Sequence, residues 1–190
     1  VGMTRFAISV VQLDSTADVG RNVRRIVSFV DRAAAEGADL VAFPEMATYV
    51  GEADRYADVA EPVPGPTTER LAEAARDHGL YVHTGSAFES GPDDGRVYNT
   101  AALIGPDGGL LDTYRKIHLF DVDGGVEHAE SDHVAPGEGL TTVDTDLATF
   151  GLSICYDLRF PRLYRALAAQ GAAVLFVPAA FSLHTGTDHW

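Results

Sequence analysis

The sequence predicts an α/β fold, and two observations carry that expectation. Short apolar runs of strand character alternate with amphipathic stretches of helical period, and glycine or proline punctuates most of the changes between them. With 190 residues, 46% of them hydrophobic, the chain is long enough to bury one sizeable core, so a single domain is expected.

The elements follow in order. Phe6 to Leu13 reads as a buried strand carried by Phe, Ile, Val and Leu. Asp18 to Glu36 reads as a helix, because Val23, Ile26, Val27 and Val30 fall on one stripe and Gly37 stops it. Asp39 to Phe43 is a short apolar strand running into Pro44-Glu45. Pro66 opens a second helix, which runs to His78 and is closed by Gly79. Leu80 to Phe88 and Val97 to Ile104 read as strands, and Pro106-Asp107-Gly108-Gly109 turns the chain into another from Leu110 to Arg115. Asp121 to Gly139 is rich in Asp, Glu, His and Gly, and is either an ordered functional loop or simple surface. Thr149 to Cys155 is a strand, Pro161 to Gln170 a helix capped by Gly171, and Ala173 to Val177 completes a strand–helix–strand unit. No internal repeat, low-complexity tract or linker interrupts this order.

Charge narrows the function classes. A net charge of −14 excludes nucleic acid and anionic membranes as expected partners, since both demand a basic footprint. No apolar run approaches the ~18 residues of a membrane span, and Val1-Gly2-Met3-Thr4-Arg5 leads into strand-like alternation and not a signal-peptide core. One cysteine rules out an internal disulfide framework and suits a cytoplasmic location. An acidic surface nearly devoid of lysine would also suit a salt-rich cytoplasm.

Two singletons stand out. Lys116 is the only lysine beside thirteen arginines, and Cys155 is the only cysteine. An ammonium is a compact point charge with rotatable donors, a role the planar guanidinium does not fill. Cysteine is kept more often for reactivity than for packing. Glu45 follows one strand, Lys116 another, and Cys155 ends a third, so neighbouring strands would bring carboxylate, ammonium and thiol into one crevice at their carboxyl ends. Phe150 to Asp157 carries a strand into a turn before the Pro161 helix, a layout that presents a nucleophile at the top of a sheet. The Tyr156 N–H would then face a developing oxyanion. The alternative for Cys155 is a small buried hydrophobe, and for Lys116 an ordinary surface lysine. A thiol needs a base; none of the seven histidines sits in a pattern tied to Cys155, whereas Glu45, held after a proline, can serve.

Phe43-Pro44-Glu45, Tyr114 to Phe120 and Gly151 to Pro161 together resemble the three signatures of the nitrilase, or carbon–nitrogen hydrolase, superfamily. The resemblance extends from Phe6 to Trp190. It implies a four-layer αββα sandwich and a Glu-Lys-Cys triad of Glu45, Lys116 and Cys155, with Glu130 as a second glutamate. It is strongest toward the Nit-type, omega-amidase-like amidases, which implies Arg159 as the partner of a substrate carboxylate and Phe181 and Thr185 as pocket lining. Arginine suits such bidentate recognition.

The function so implied is a thiol amidohydrolase without metal or cofactor, cleaving the terminal amide of a small carboxylate-bearing substrate and assembling as a homodimer or higher homo-oligomer. Three alternatives remain open at this point. The same triad serves nitriles or N-carbamoyl acids; Glu127 to His133 offers ligand types for a metal; and an inactive member would act as a binding or oligomer subunit. Family members continue beyond the position of Trp190, so 1–190 is expected to be a C-terminally truncated domain with uncovered strand edges.

Overall fold

A computed structural model describes residues 5–122, 128–181, 183 and 186–187. In chain order the elements are β1 (Ile8–Val10), α1 (Val19–Ala35), β2 (Leu40–Ala42), α2 (Tyr56–Val59), α3 (Pro66–His78), β3 (Tyr81–His83), β4 (Ala87–Ser90), β5 (Val97–Ile104) and β6 (Leu110–Arg115). They continue with β7 (Asp121–Val122), β8 (His128–Ala129), β9 (Thr142–Asp144), β10 (Thr149–Leu152), α4 (Pro161–Ala169) and β11 (Val174–Phe176). No described helix is long and apolar enough to cross a membrane.

Two sheets stack face to face. In the first, β1, β2 and β3 run parallel, β5 is antiparallel to β3, and β6 is antiparallel to β5 on its other edge. The second sheet has the order β11-β10-β9. Helices α1 and α3 cover the outer face of the first sheet, where Ile26, Val30, Leu71 and Ala75 meet Val41, Val82 and Ile104. Between the sheets, Leu40, Ala101, Leu103 and Tyr114 pack against Phe150, Leu152, Ile154 and Phe176. Helix α4 covers the far face of the second sheet at Gly151: a Cβ there would stand 3.4 Å from that of Leu167 and 2.8 Å from Leu175. The layers are therefore helix, sheet, sheet, helix.

Local chemistry explains the helix ends. The Asp18 side chain accepts from the Arg21 N–H at 2.8 Å, capping α1, and Gly37 leaves it at φ +80°. Asn22 is polar yet fully buried, because its amide donates to Thr16 O at 2.6 Å and Thr48 O at 2.9 Å. It thereby ties α1 to the segment after β2. Gly79, at φ +65°, ends α3.

Several expectations are corrected. The expected strand from Leu80 to Phe88 is two strands, broken at Thr84-Gly85-Ser86. Gly85 has φ +71°, and a Cβ would lie 1.9 Å from Pro44 O. The break wraps the Glu45 loop: Ser86 Oγ accepts from Met46 N–H at 3.0 Å, and Ser86 O accepts from Ala47 N–H at 2.9 Å. The first strand is Ile8–Val10 and is not buried; Val10 is 82% exposed. Strand β1 is an edge strand, and its inter-sheet side, partly covered at Ile8, is open at Val10 among the described residues. The strand expected to reach Cys155 stops at Leu152. The segment Asp121 to Gly139 holds the ribbon β7–β8 and a 3-10 turn at Glu130–Asp132.

His83 sits between the sheets, fully buried and stacked on Phe176 with centroids 4.3 Å apart. Its Nδ1 accepts from Gly85 N–H at 3.2 Å, so the ring proton belongs on Nε2. Burial lowers its pKa from 6.5 to about 3. The unfolded chain therefore binds a proton the fold refuses, and stability present above pH 6.5 is lost as pH falls toward about 3. His83→Leu should make the acid-side slope of unfolding free energy shallower by up to about 1.4 kcal/mol per pH unit, read from urea melts between roughly pH 6 and 4. Parallel slopes in the two proteins would show that His83 accepts a proton inside the fold.

Candidate active site

Glu45, Lys116 and Glu130 converge at one end of the first sheet. Strand β6 runs in the same direction as β2, since both oppose β5, so Glu45 and Lys116 leave their strands at the same edge. Lys116 is 2% exposed, and its Nζ donates to Glu45 Oε1 at 3.2 Å and to Glu130 Oε1 and Oε2 at 3.0 and 2.9 Å. Glu45 is 6% exposed and has further donors: Asn99 Nδ2 reaches Oε1 at 3.1 Å, and Ala180 N–H reaches Oε2 at 2.9 Å. Glu130 Oε2 also accepts from Phe120 N–H at 2.7 Å.

Cys155 arrives from the other sheet. Strand adjacency, which the sequence spacing permits, does not assemble the group; face-to-face stacking does, because β2 and β6 are separated by β3 and β5, and β10 lies in the second sheet. Cys155 begins a 3-10 turn, Cys155–Arg159, after Ser153-Ile154 have left the strand. Its backbone has φ +48°, and its N–H donates to Pro178 O at 2.9 Å. Met46, directly after Glu45, has φ +54°. These are the two non-glycine residues with positive φ among those described, and such backbone costs roughly 1–3 kcal/mol each. Both lie at the cluster, where the Ser86 and Pro178 bonds hold them.

The electrostatics follow from one ammonium facing two carboxylates. Burial alone would lower the Lys116 ammonium, but Glu45 and Glu130 together hold it above the ordinary lysine value. Burial pushes the Cys155 thiol well up, Glu45 pushes it further, and Lys116 offsets only part. The thiol thus stays protonated near neutral pH, and sulfur can attack only if a base removes its proton during the attack. Tyr56, stacked on Phe88 at 3.9 Å, is raised to about 12 by burial and then by Glu130 and Glu45, so the negative excess extends to that wall.

The other expected residues separate. Tyr156 follows Cys155 in the turn, its ring edge-on to Phe120 at 5.1 Å and to Phe160 at 5.5 Å. Arg159 ends the turn, is exposed, and has no ion-pair partner among the described residues. Phe181 is half-buried one residue after the Ala180 N–H that binds Glu45. Thr185 lies outside the described residues. Among those described, no three His, Cys, Asp or Glu side chains group to hold a metal ion; part of the segment considered for a metal, 127–133, lies outside them.

Sequence reasoning missed Asn99 and Asp157. Asn99 interrupts the apolar inward face of β5, between Val97 and Ala101, and a buried amide there must answer to a polar partner. Asp157 is fully buried and accepts four hydrogen bonds, from Tyr114, His118 and Ile154. An acid two residues past the thiol, with Tyr114 and His118 spaced evenly about Lys116, was the available signal.

The layered fold and this cluster are those of a hydrolase sandwich, and comparison with known proteins makes the class specific. The carbon–nitrogen hydrolase family matches residues 7–190. The chain is 42% identical over 190 residues to the omega-amidase NIT2 of Homo sapiens, covering 99% of this chain and 68% of that protein. Nit3 of Saccharomyces cerevisiae, a member of branch 10 of the nitrilase superfamily, superposes with a TM-score of 0.84 at 34% identity, over 100% of this chain and 70% of that one. The C. elegans NitFhit protein gives a TM-score of 0.92 at 33% identity, over 100% of this chain and 47% of that one. The chain belongs to the carbon–nitrogen hydrolase family and is an amidohydrolase by class.

The charge balance makes a dissociable prediction. Burial remains, but Glu45→Gln removes the carboxylate that raises the thiol further and leaves Lys116 beside it, so the Cys155 pKa should fall. The pH dependence of alkylation by iodoacetamide reads this directly, since Cys155 is the sole thiol. An unchanged or higher midpoint would overturn the electrostatic account.

Proposed function

We propose that the protein hydrolyses the terminal amide of a small carboxylate-bearing substrate through a Cys155 thioester. The observation that carries this is the buried Glu45–Lys116–Glu130 ion cluster against a thiol on a positive-φ elbow. Glu45 takes the thiol proton as the Sγ–carbon bond forms, and the carbonyl oxygen takes up the negative charge. Lys116 and the Tyr156 N–H stabilise that oxyanion, donors whose loss costs about 10²–10³ in rate at comparable sites. Lys116 is held by both oxygens of Glu130, so turning one N–H from Glu130 to the substrate leaves the ammonium still paired.

Collapse of the adduct breaks the C–N bond while Glu45 returns its proton to the nitrogen, and ammonia leaves. Water then attacks the thioester, with Glu45 taking its proton and Glu130 steering it; the C–S bond breaks and the sulfur regains a proton. Among its relatives, omega-amidase NIT2 supports the amide as substrate, and Arg159 supports a carboxylate at its far end. Phe181 lines the acyl chain.

Ammonia release from short dicarboxylate monoamides, neutral amides, nitriles and carbamoyl acids tests the reaction. Monoamides should turn over fastest, and Cys155→Ala and Lys116→Arg should each abolish turnover without unfolding, because a guanidinium brings charge in the wrong donor geometry. Arg159→Met should lower kcat/KM on monoamides by about fivefold to thirtyfold (~1–2 kcal/mol), less than the loss of a buried charge pair because Arg159 is exposed, with little effect on neutral amides. Equal losses on both substrate types would assign Arg159 to the fold, and a preference for nitriles would replace the amide.

A further inference from the structure

Asp157 has no solvent exposure, and every hydrogen-bonding partner of its side chain is a donor. Oδ2 accepts from Tyr114 Oη–H at 2.7 Å and from Ile154 N–H at 2.9 Å. Oδ1 accepts from His118 N–H at 3.1 Å and stands 2.7 Å from His118 Nδ1, which donates to it. Tyr114 and His118 flank Lys116 by two residues on either side, and Ile154 directly precedes Cys155. One carboxylate therefore grips the segment that carries the ammonium and the elbow that carries the thiol. These belong to different sheets, so backbone ladder bonds do not set their mutual position.

The surroundings stiffen the grip. Tyr114 Oη also accepts from Ile117 N–H at 3.3 Å, which closes the turn around Lys116. The His118 ring lies flat on Phe160 with centroids 3.6 Å apart and planes 8° from parallel. Phe160 N–H in turn donates to Asp157 O at 2.9 Å. The far end of Lys116, by contrast, is held by Glu45 and Glu130, which do not touch the elbow through Asp157.

We infer that Asp157 is a positioning residue for the reaction: its buried carboxylate sets the Cys155 elbow against the Lys116 segment, and with it the distance between sulfur and oxyanion donor. This rests on Cys155 and Lys116 acting as proposed. A displacement of about 1 Å at reacting atoms can cost ~10²-fold in rate, so a residue that never touches substrate can still govern kcat.

Asp157→Asn in the full chain tests it. Whichever oxygen becomes the amide NH2, one backbone N–H, of His118 or of Ile154, loses its acceptor and faces another donor, while the His118 ring or the Tyr114 hydroxyl beside it must turn from donor to acceptor. Turnover of a short dicarboxylate monoamide should fall by about 30–100-fold in kcat, with KM within about threefold of wild type. Alkylation of Cys155 by iodoacetamide should become several-fold faster, because a loosened elbow relieves the burial that raises the thiol. Tyr114→Phe removes one donor to Asp157, at the cost of the long 3.3 Å bond from Ile117 N–H, and should lose about three- to tenfold in kcat; adding it to Asp157→Asn should cost almost nothing further. His118→Asn, which keeps a donor near Nδ1, should retain most activity.

Asp157→Asn with kcat within threefold of wild type and unchanged alkylation overturns the inference. So does a fall in kcat that merely follows the folded fraction and recovers on cooling. Should Asp157→Asn fail to fold, Tyr114→Phe decides alone: a kcat loss at constant KM supports the positioning role, and wild-type kcat overturns it. Activity in Cys155→Ala would instead strike the assignment of the nucleophile, an outcome that leaves the alkylation rates free to report on the elbow.

Discussion

A single buried ammonium organises this protein. Lys116 is nearly inaccessible, and an unpaired charge in that position would cost several kcal/mol. It is tolerable only because Glu45 and Glu130 come to it from separate parts of the chain, and each is tied down in turn by Asn99, Ala180 or Phe120. Satisfying that charge draws together the ends of β2 and β6, the 3-10 turn at Glu130–Asp132 and the segment after β11. The same stoichiometry leaves a negative excess, and burial, with Glu45 adding to it, keeps the neighbouring thiol protonated. A thiol in such a place is useful only in concert with a base, and the carboxylate that raises it is also the group placed to relieve it.

Stacking of the sheets supplies what neither sheet holds alone. The first contributes the carboxylate and the ammonium at parallel strand ends; the second contributes the elbow. Apolar packing of Leu103 and Tyr114 on Phe150 and Ile154 brings the layers together, but dispersion contacts are non-directional and fix no angstrom-scale register. Directional bonds do that: Ala180 N–H to Glu45 and the four donors on Asp157. Positive φ at Met46 and Cys155, held by the Ser86 and Pro178 bonds, marks the two backbone turns that carry these groups to the meeting point.

Helices α1 and α3 were legible in the sequence almost to the residue, because their stripes, caps and stop glycines all act within a few positions. Strands β5 and β6 were equally plain. The break at Gly85 was not, since its cause is the carbonyl of Pro44, forty-one residues earlier. The short β1 was misread as buried because an apolar strand looks the same whether or not a second layer covers it, and among the described residues nothing covers Val10. At the site, the chemical types and strand-end positions of Glu45, Lys116 and Cys155 could be read locally. Their meeting across two sheets could not, because period and spacing carry no information about which sheet a strand joins. Asp157 was hidden for the same reason: its four donors lie in two segments, and their convergence exists only in three dimensions.

Burial divides the site into two regimes. Lys116, Glu45 and Asp157 are closed from water and each is saturated by its own buried or half-buried partners, so changing any one strands groups that cannot readily turn to solvent. Arg159 stands in the open at the end of the 3-10 turn, two residues beyond Asp157, and no buried group among the described residues pairs with it. A substitution there meets no packing penalty. On the proposed mechanism, the bond-breaking groups and the substrate-selecting groups thus obey different constraints although they share one five-residue turn. On that same mechanism the chemistry would depend on a network that tolerates little piecewise change, whereas the choice among small amides would rest on side chains free to vary. The anchoring of Cys155 through Asp157 is what lets one end of that turn stay rigid while its other end adapts.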